Sequence, residues 1–298
     1  MASSDPIIPT TFVLNNGIMM PSIGLGTYRI RQSDIVMQVV DYALEAGYRM
    51  FDTAAVYGNE IHLGEAFKTL LPKYDLERED IFVTTKLSPS DHGSRAEQAY
   101  QKSLENLDLE YVDLYLIHFP GGAKLPAEDK RNTKMRELSW CKLTELYDDG
   151  KVNAVGVSNF TVAHLEGLME SNHGLVPAVN QVEWHPYYTQ SSLYKFCKQH
   201  HITLQAYCSF GGTSCSNNSL LNDPVVVSTA LKLEVTPAQV LLVWALQQDV
   251  AVIPKAVHPE HIKENRSLNF KIPEEDMKAL NQLSEKNVKY AWDPSIVA

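Results

Sequence analysis

The sequence predicts an α/β protein, a closed (β/α)8 TIM barrel with an N-terminal β-hairpin as its cap. Short apolar runs alternate with longer amphipathic stretches along the chain, and such alternation is typical of a parallel sheet covered by helices. There are eight such runs, which favours a closed barrel over an open doubly wound sheet. No GxGxxG motif follows any of them, which counts against a Rossmann domain.

The first predicted element is the hairpin. Residues 11–14 and 18–20 are mostly apolar, and Asn15, Asn16 and Gly17 between them tolerate the positive φ of a tight turn. The eight barrel strands are then predicted at Ile23 to Gly26, Met50 to Asp52, Ile81 to Lys86, Leu114 to His118, Val155 to Ser158, Val179 to Val182, Thr203 to Tyr207 and Ala251 to Ile253.

Helices are predicted between these strands. Ser33 to Ala46 carries an apolar stripe and stops before Gly47, a residue typical of helix C-termini. Ala96 to Leu107 and Thr161 to Met169 repeat the pattern, and Thr161 is suited to a helix start. Two loops, 121–131 and 211–222, are long and polar enough to cover an active site. We also expect the irregular stretch 287–298 to fold over the barrel mouth.

Composition limits the classes of function. With 298 residues, 44% hydrophobic and 21% charged, we expect a single barrel domain over residues 1–298. The net charge of -10 disfavours binding to nucleic acid or to an anionic membrane. A small-molecule substrate is therefore expected. We also expect a monomeric protein.

The cysteines and the first residues indicate the compartment. The four cysteines, at positions 141, 197, 208 and 215, have no CxxC spacing, so reduced thiols without a metal are predicted. The start, 1–8, lacks the basic and apolar regions of a secretory leader, and no apolar run approaches membrane-spanning length. We expect a cytoplasmic protein.

Polar residues stand at or just beyond the ends of successive apolar runs. Asp52, Lys86 and His118 each do so, and Tyr57 follows Asp52 closely. A buried polar group is costly unless it is paired or used. Because active sites of barrels lie at the carboxyl ends of their strands, these residues are candidates for a shared site.

These side chains suit the delivery of a proton to a carbonyl oxygen. A free tyrosine has a pKa of about 10, so we expect the Lys86 ammonium to lower the pKa of Tyr57. Asp52 would keep the lysine charged, and His118 would donate a hydrogen bond to the substrate oxygen. From spacing alone a structural role stays open, because Asp–Lys pairs and strand-end histidines mostly serve structure.

Several longer motifs resemble the aldo-keto reductase family. The segment Phe51 to Glu60 (FDTAAVYGNE) matches its signature, as do Leu116 to His118 and Val155 to Phe160, and the likeness runs from Gly24 to Asn265. The resemblance implies a barrel that binds NADPH and passes hydride from the nicotinamide to an aldehyde or ketone. Tyr57 takes the position of the general acid, with Lys86, Asp52 and His118 completing the tetrad.

The resemblance also implies cofactor contacts. Ser158, Asn159 and Gln181 would hold the carboxamide, Tyr207 would stack on the nicotinamide, and Lys255 would face the 2′-phosphate. Without the family, Gln181 is more simply a core residue satisfied by backbone. The complete implied set is Gly26, Thr27, Ser158, Asn159, Gln181, Tyr207, Cys208, Ser209, Phe210, Gly212, Lys255, Ala256, Val257, His261, Glu264 and Asn265.

The chain departs from the family pattern at the cofactor. Ala256 replaces a hydroxyl residue, and His261 replaces an arginine that grips the 2′-phosphate. Cys208 and Gly212 stand where hydroxyl residues are common near the pyrophosphate. Because histidine is only partly protonated at neutral pH, NADPH affinity is expected to be lower than usual and pH-dependent, with NADPH still ahead of NADH.

An aromatic, largely uncharged substrate pocket is expected from Tyr28, Phe119 and Trp292, together with Tyr57 and His118, and it suits apolar or aromatic aldehydes, quinones or keto-lipids. Ser88 stands where some family members carry a tryptophan, so the pocket is expected to be wider there. Two alternatives stay open. Lys86 could form a Schiff base in a lyase, or the barrel could be non-catalytic, as a crystallin-like structural protein or a cofactor-sensing regulatory subunit. A metal hydrolase lacks support, because no HxH ends a predicted strand.

Overall fold

Eight parallel strands form the central sheet, and a two-stranded antiparallel hairpin precedes them. The structure, a computed structural model, describes residues 8–171 and 174–298; the prediction about a leader at the start falls almost wholly outside them. The strands are β1 (Thr11–Val13), β2 (Met19–Pro21), β3 (Leu25–Gly26), β4 (Met50–Asp52), β5 (Phe82–Leu87), β6 (Val112–Ile117), β7 (Val152–Ser158), β8 (Val179–Glu183), β9 (Thr203–Tyr207) and β10 (Ala251–Val252).

The sheet closes into the predicted barrel. Strands β3 to β10 pair in chain order and in parallel. The first and last are joined by two backbone hydrogen bonds of 2.9 Å, from Gly24 N to Val252 O and from Val252 N to Ser22 O. Strand β7 begins earlier than predicted because its polar Asn153 donates to Asp113 Oδ1 at 3.1 Å, so a side chain satisfies it inside the sheet.

The hairpin closes the N-terminal end of the barrel, as a cap. Strand β1 pairs with β2, and the cap buries Leu14 and Met20. They pack with Met50, Phe82 and Leu114 from the barrel strands in one apolar cluster. This end is apolar, whereas polar groups collect at the opposite end.

Helices cover the outside of the barrel. They are α1 (Ser33–Glu45), α2 (Glu60–Leu70), α3 (Ala96–Leu107), α4 (Arg131–Asp148), α5 (Val162–Glu170), α6 (Ser191–Gln199), α7 (Pro224–Leu233), α8 (Pro237–Leu246), α9 (Pro259–Arg266) and α10 (Glu274–Gln282). The predicted stripe of α1 is buried, and Gly47 follows that helix with a φ of +85°. Thr161 caps α5 by accepting a hydrogen bond from His164 N, as its position predicted.

Two segments lie at the carboxyl ends of the strands. After β9 the chain forms a short 3₁₀ turn at Gly212–Cys215, and the stretch 287–298 is irregular apart from a 3₁₀ turn at Pro294–Ile296. Within the described ranges, no single helix has the length and apolar character needed to cross a membrane; α7 and α8 reach them only as a pair bent by 92°.

Candidate active site

The fold brings the four predicted proton-delivery residues together. Asp52 ends β4, Lys86 lies on β5, His118 follows β6, and Tyr57 belongs to the 3₁₀ turn after β4. Lys86 Nζ lies 2.6 Å from Asp52 Oδ1 and 3.5 Å from Tyr57 Oη. The rings of Tyr57 and His118 meet edge to face, with centroids 5.5 Å apart.

The Lys86 ammonium is buried, and every one of its N–H groups has an acceptor. Beside Asp52 and Tyr57, it donates to Thr53 O at 2.7 Å. The other Asp52 oxygen accepts from Gln181 Nε2, also at 2.7 Å. Burial lowers the pKa of Lys86 and raises that of Asp52, and in each case the partner's charge opposes the shift. The saturated hydrogen bonding supports a charged pair.

Tyr57 differs from the sequence expectation. We expected Lys86 to lower its pKa, but burial, together with the negative charge of Asp52, raises the pKa of Tyr57 well above 10. Desolvation outweighs the lysine because the phenol is almost fully removed from water and Asp52 offsets the lysine charge. The phenol therefore carries its proton at neutral pH, as a proton donor must.

His118 is neutral. Burial, then the charge of Lys86, holds the pKa of His118 well below its ordinary value. Its Nδ1 is buried and has no hydrogen-bond partner among the described residues. A neutral imidazole retains one N–H and can donate one hydrogen bond into the cavity that its ring lines.

A cavity of about 350 Å³ opens beside these groups. Most of the residues expected to contact cofactor or substrate line this cavity. In addition to Asp52, Tyr57 and His118, the predicted residues in its wall are Gly26, Tyr28, Ser158, Asn159, Gln181, Tyr207, Cys208, Ser209, Phe210, Gly212, Lys255 and Trp292.

Other predicted contacts lie outside this wall. Thr27 donates to Asp52 O, Ser88 accepts from Ser90 N, and Phe119 packs edge-on against Trp292. Thr27 and Phe119 thus contact residues of the wall without lining it themselves. The rest belong to the loop after β10 and to α9, and they stay predictions: Ala256, Val257, His261, Glu264 and Asn265.

The amide-bearing residues form one hydrogen-bonded cluster. Asn159 Nδ2 donates to Ser158 Oγ at 3.0 Å, and Tyr207 Oη donates to Asn159 Oδ1 at 2.5 Å. Gln181 bonds to the side chains of Asp52 and Gln205, rather than to backbone as a simple core residue would. The cluster joins the proton-delivery residues to the aromatic ring of Tyr207 on the same wall.

Two cations mark another part of the wall. Arg29 and Lys255 both line the cavity, and partial burial, with the charge of Arg29, lowers the pKa of Lys255. Arg29 donates to the backbone oxygen of Ser214, and among the described residues no ion pair joins either cation to a carboxylate. Unpaired cations in a cavity favour an anionic ligand. Amides, a flat ring and cations in one cavity fit a nicotinamide dinucleotide.

The comparisons agree with this geometry. Residues 22–285 match the model of the aldo/keto reductase family. The chain belongs to the aldo/keto reductase family. It is 39% identical to glycerol 2-dehydrogenase (NADP(+)) of Saccharomyces cerevisiae, with 94% of each chain covered, and 38% identical to glyoxal reductase of Bacillus subtilis, covering 92% of this chain and 93% of that one.

A solved aldo/keto reductase from Brucella melitensis superposes with a TM-score of 0.82 at 37% identity, covering 93% of this chain and 99% of that one. The predicted resemblance and barrel are thus confirmed, and the chain is an oxidoreductase of this family.

Sequence reasoning missed several residues of this reductase's cavity. Arg29 carries no local signal, since it simply follows Tyr28. Tyr290 was noted as part of the covering segment but was not assigned to the site. The wall residues that were not in the expected contact set are Arg29, Gly211, Thr213, Ser214, Cys215, Ile253, Pro254, Tyr290 and Ala291. Of these, Ile253 and Pro254 belong to a segment that resembles the family at the adenosine end, and 211–215 belongs to the loop expected to cover the site.

Proposed function

We propose that this protein reduces aldehydes, ketones or quinones to alcohols with NADPH as the hydride source. The observation that carries the proposal is the hydrogen-bonded chain from Asp52 through Lys86 to Tyr57, which ends in the same cavity as the amide cluster and the two cations. The yeast relative is named glycerol 2-dehydrogenase (NADP(+)) and the Bacillus relative glyoxal reductase, and both names describe this class of chemistry.

The cofactor contacts follow from the chemistry of each wall. Ser158, Asn159 and Gln181 offer donors and acceptors to a carboxamide, and Tyr207 offers a flat face to the ring. Arg29 and Lys255 offer positive charge to phosphates. When bound, the reduced nicotinamide supplies the hydride that the protein itself lacks.

Proton delivery is the task of this chain's own residues. Tyr57 holds its proton in the ground state and gives it to the carbonyl oxygen as negative charge develops there. Lys86 then stabilises the phenolate, because its ammonium already faces Tyr57 Oη, and Asp52 keeps that ammonium in place. Neutral His118 donates a hydrogen bond that orients the same oxygen.

The substrate pocket is aromatic. Tyr28 packs against Tyr57, with ring centroids 5.1 Å apart, and Trp292 lines the outer wall with 59% of its surface exposed. The ring of Phe119 packs edge-on against that of Trp292, with ring centroids 6.4 Å apart. We infer apolar or aromatic carbonyl compounds as the substrate class.

The Lys86 contacts weigh against the lyase alternative. A Schiff base requires a neutral amine that is free to attack. The Lys86 amine instead donates hydrogen bonds to a carboxylate, a backbone carbonyl and a phenol. The non-catalytic barrel is disfavoured by the complete tetrad. No group of three or more residues suited to bind a metal ion occurs within 8–171 and 174–298.

Replacing Tyr57 by Phe tests the proposal. We expect turnover of an aldehyde panel to fall by about 10²–10⁴-fold, because the proton donor is lost, while NADPH still binds. The matched control is Tyr111→Phe, a tyrosine outside the cavity. Unchanged turnover in Tyr57→Phe would refute the assignment of the acid, and borohydride trapping of substrate on Lys86 would support the lyase instead.

Four broader features remain proposals. We propose that residues 1–298 form one barrel domain, that the protein is monomeric and cytoplasmic, and that it binds neither nucleic acid nor membrane. The family match over 22–285 supports the first, and the net charge of -10 supports the last. Size-exclusion chromatography with light scattering tests the oligomeric state.

A further inference from the structure

Two covering segments meet over the mouth of the cavity. We call residues 211–222 the strap and residues 287–298 the closing segment. The strap contributes the run from Gly211 to Cys215 to the wall, and the closing segment contributes the run from Tyr290 to Trp292. Both segments would therefore contact a ligand that fills this part of the cavity.

Glu183 attaches the closing segment to the barrel. It ends β8, and its side chain is fully buried. One carboxylate oxygen accepts from Tyr290 N at 2.6 Å and His185 Nε2 at 3.0 Å. The other accepts from Ala291 N and Lys289 Nζ, both at 2.9 Å.

This carboxylate is charged at neutral pH. Burial raises the pKa of Glu183, but the hydrogen bonds from His185 and Lys289 and from the closing segment outweigh it and lower the pKa to about 2. Hydrogen bonds to a charged acceptor are roughly twice as strong as neutral ones. Glu183 is thus a firm attachment point that two backbone N–H groups share.

Tyr290 joins the closing segment to the strap. Its ring lies so close to the strap glycines that a Cβ built on Gly212 would sit 2.6 Å from it, and one built on Gly211 would sit 2.9 Å from it. The Tyr290 hydroxyl lies 2.8 Å from Ser219 Oγ. The segment held by Glu183 therefore presses directly on the strap.

The two covers also meet at their bases. Just before the closing segment, Lys286 Nζ donates to Asp223 Oδ2 at 2.6 Å, and Asp223 directly follows the strap. Tyr187 Oη donates to the same oxygen at 2.7 Å, and Tyr187 O accepts from Val288 N at 3.0 Å. The strap and the closing segment are consequently joined at both ends of their contact.

We propose that Glu183 is a positioning residue that latches the closing segment and, through Tyr290, the strap into one cover. The same buried carboxylate then sets both the rate of cofactor release and the width of the substrate entrance. The link to the cofactor rests on the proposed function, whereas the latch is a property of the protein without any ligand.

Hydrogen exchange in the ligand-free protein tests the latch. Glu183→Gln keeps the shape of the side chain, but its amide NH₂ group cannot accept hydrogen bonds from the N–H groups that Glu183 binds. The rate of amide hydrogen exchange at Tyr290 and Ala291 should therefore rise by about ten-fold or more. If the covers are coupled, exchange should also rise at Asn217, whose N–H bonds to Gly212 O at 3.0 Å. The charge control is Glu274→Gln, a carboxylate with 83% exposure on α10.

Each exchange outcome has a meaning. Faster exchange in the closing segment alone would overturn the coupling, and no change in either cover would overturn the latch. Tyr290→Phe is a milder variant in case Glu183→Gln folds poorly. It should raise exchange at Asn217 and leave Ala291 protected; unchanged strap exchange would refute the link through the Tyr290 hydroxyl.

Cofactor release is the second readout. NADPH dissociation, followed by the fluorescence of the bound coenzyme, should be about ten-fold faster in Glu183→Gln than in wild type and Glu274→Gln. The ratio of kcat/KM for bulky over small aldehydes should rise with it. Unchanged dissociation with a loosened cover would overturn the role in release. A wild-type protein that fails to bind NADPH would instead count against the proposed function, and the exchange data would still decide the latch.

Discussion

At the scale of single residues, burial decides the chemistry of this site. Residue types at strand ends were enough to predict that Asp52, Lys86 and His118 meet, because parallel strands end at one rim. They were not enough to predict the direction of the pKa shift of Tyr57, since desolvation depends on everything that surrounds the phenol. Residue identity thus predicted the contacts, and the packing determined the protonation state.

The two cations of the cavity wall, Arg29 and Lys255, lead to a prediction about cofactor choice. Lys255→Met should weaken NADPH binding by about ten-fold or more and NADH binding far less, because only NADPH carries the 2′-phosphate that a lysine point charge would face. Fluorescence titration with both coenzymes measures this. Lys278→Met, on exposed α10, removes the same charge elsewhere and should change neither affinity. Equal affinity of the wild type for the two coenzymes would contradict the predicted NADPH preference.

At the scale of elements, some glycines are explained only by distant neighbours. From the sequence, Gly212 was interpreted as a position where the chain lacks a hydroxyl residue common near the pyrophosphate. In the structure, the Tyr290 ring occupies the space that any side chain at this position would need. The two residues lie far apart in the chain, so no local pattern shows the contact. Likewise the closing segment was expected over the mouth, whereas its attachment to Glu183 became visible only in three dimensions.

Two helical glycines should respond to alanine with opposite signs. A Cβ on Gly64 in α2 would lie 2.4 Å from Leu107 O at the end of α3, and a backbone atom cannot rotate away. Gly64→Ala should lower the free energy of unfolding by about 1–2 kcal/mol despite the better helix propensity of alanine. A Cβ at Gly167 in α5 would have no atom of the described residues within 4 Å. Gly167→Ala should therefore raise that free energy by about 0.5–1 kcal/mol. Urea denaturation of both variants checks this, and a stabilising Gly64→Ala would show that α2 and α3 separate freely.

At the scale of the whole molecule, the barrel separates an apolar end from a polar end. The hairpin and the cluster around Met50 close one end, while the ionised and amide groups of the site collect at the other. Sequence predicted this order well because eight strands and their helices recur with clear periodicity. It did not reveal how many ionisable groups the fold buries near the mouth, and those groups make stability depend on pH.

Acid should therefore destabilise the protein in two stages. Burial, then the charge of Arg136, lowers the pKa of His92 from 6.5 to about 4, so between these values the unfolded chain binds a proton that the folded protein does not. The free energy of unfolding should fall by about 3 kcal/mol as pH drops through that window. The lowered pKa of His118 acts in the same direction. The pKa of Glu183 is lowered from 4.5 to about 2, so its carboxylate stabilises the fold fully above pH 4.5. The free energy of unfolding should fall by about 3 kcal/mol more as the pH drops from 4.5 toward 2.

Urea denaturation of ligand-free protein at pH 7.5, 6.5, 5.5 and 4.5 measures the first stage, and His92→Gln isolates the contribution of that residue. The variant removes the titrating group, so its free energy of unfolding should vary less with pH than that of the wild type, whatever its absolute stability. His62→Gln, which replaces a partly exposed histidine on α2, serves as the matched control for exchanging a histidine for a glutamine. Equal slopes for His92→Gln and the wild type would show that the buried His92 ring takes up its proton as readily in the folded barrel as in the unfolded chain.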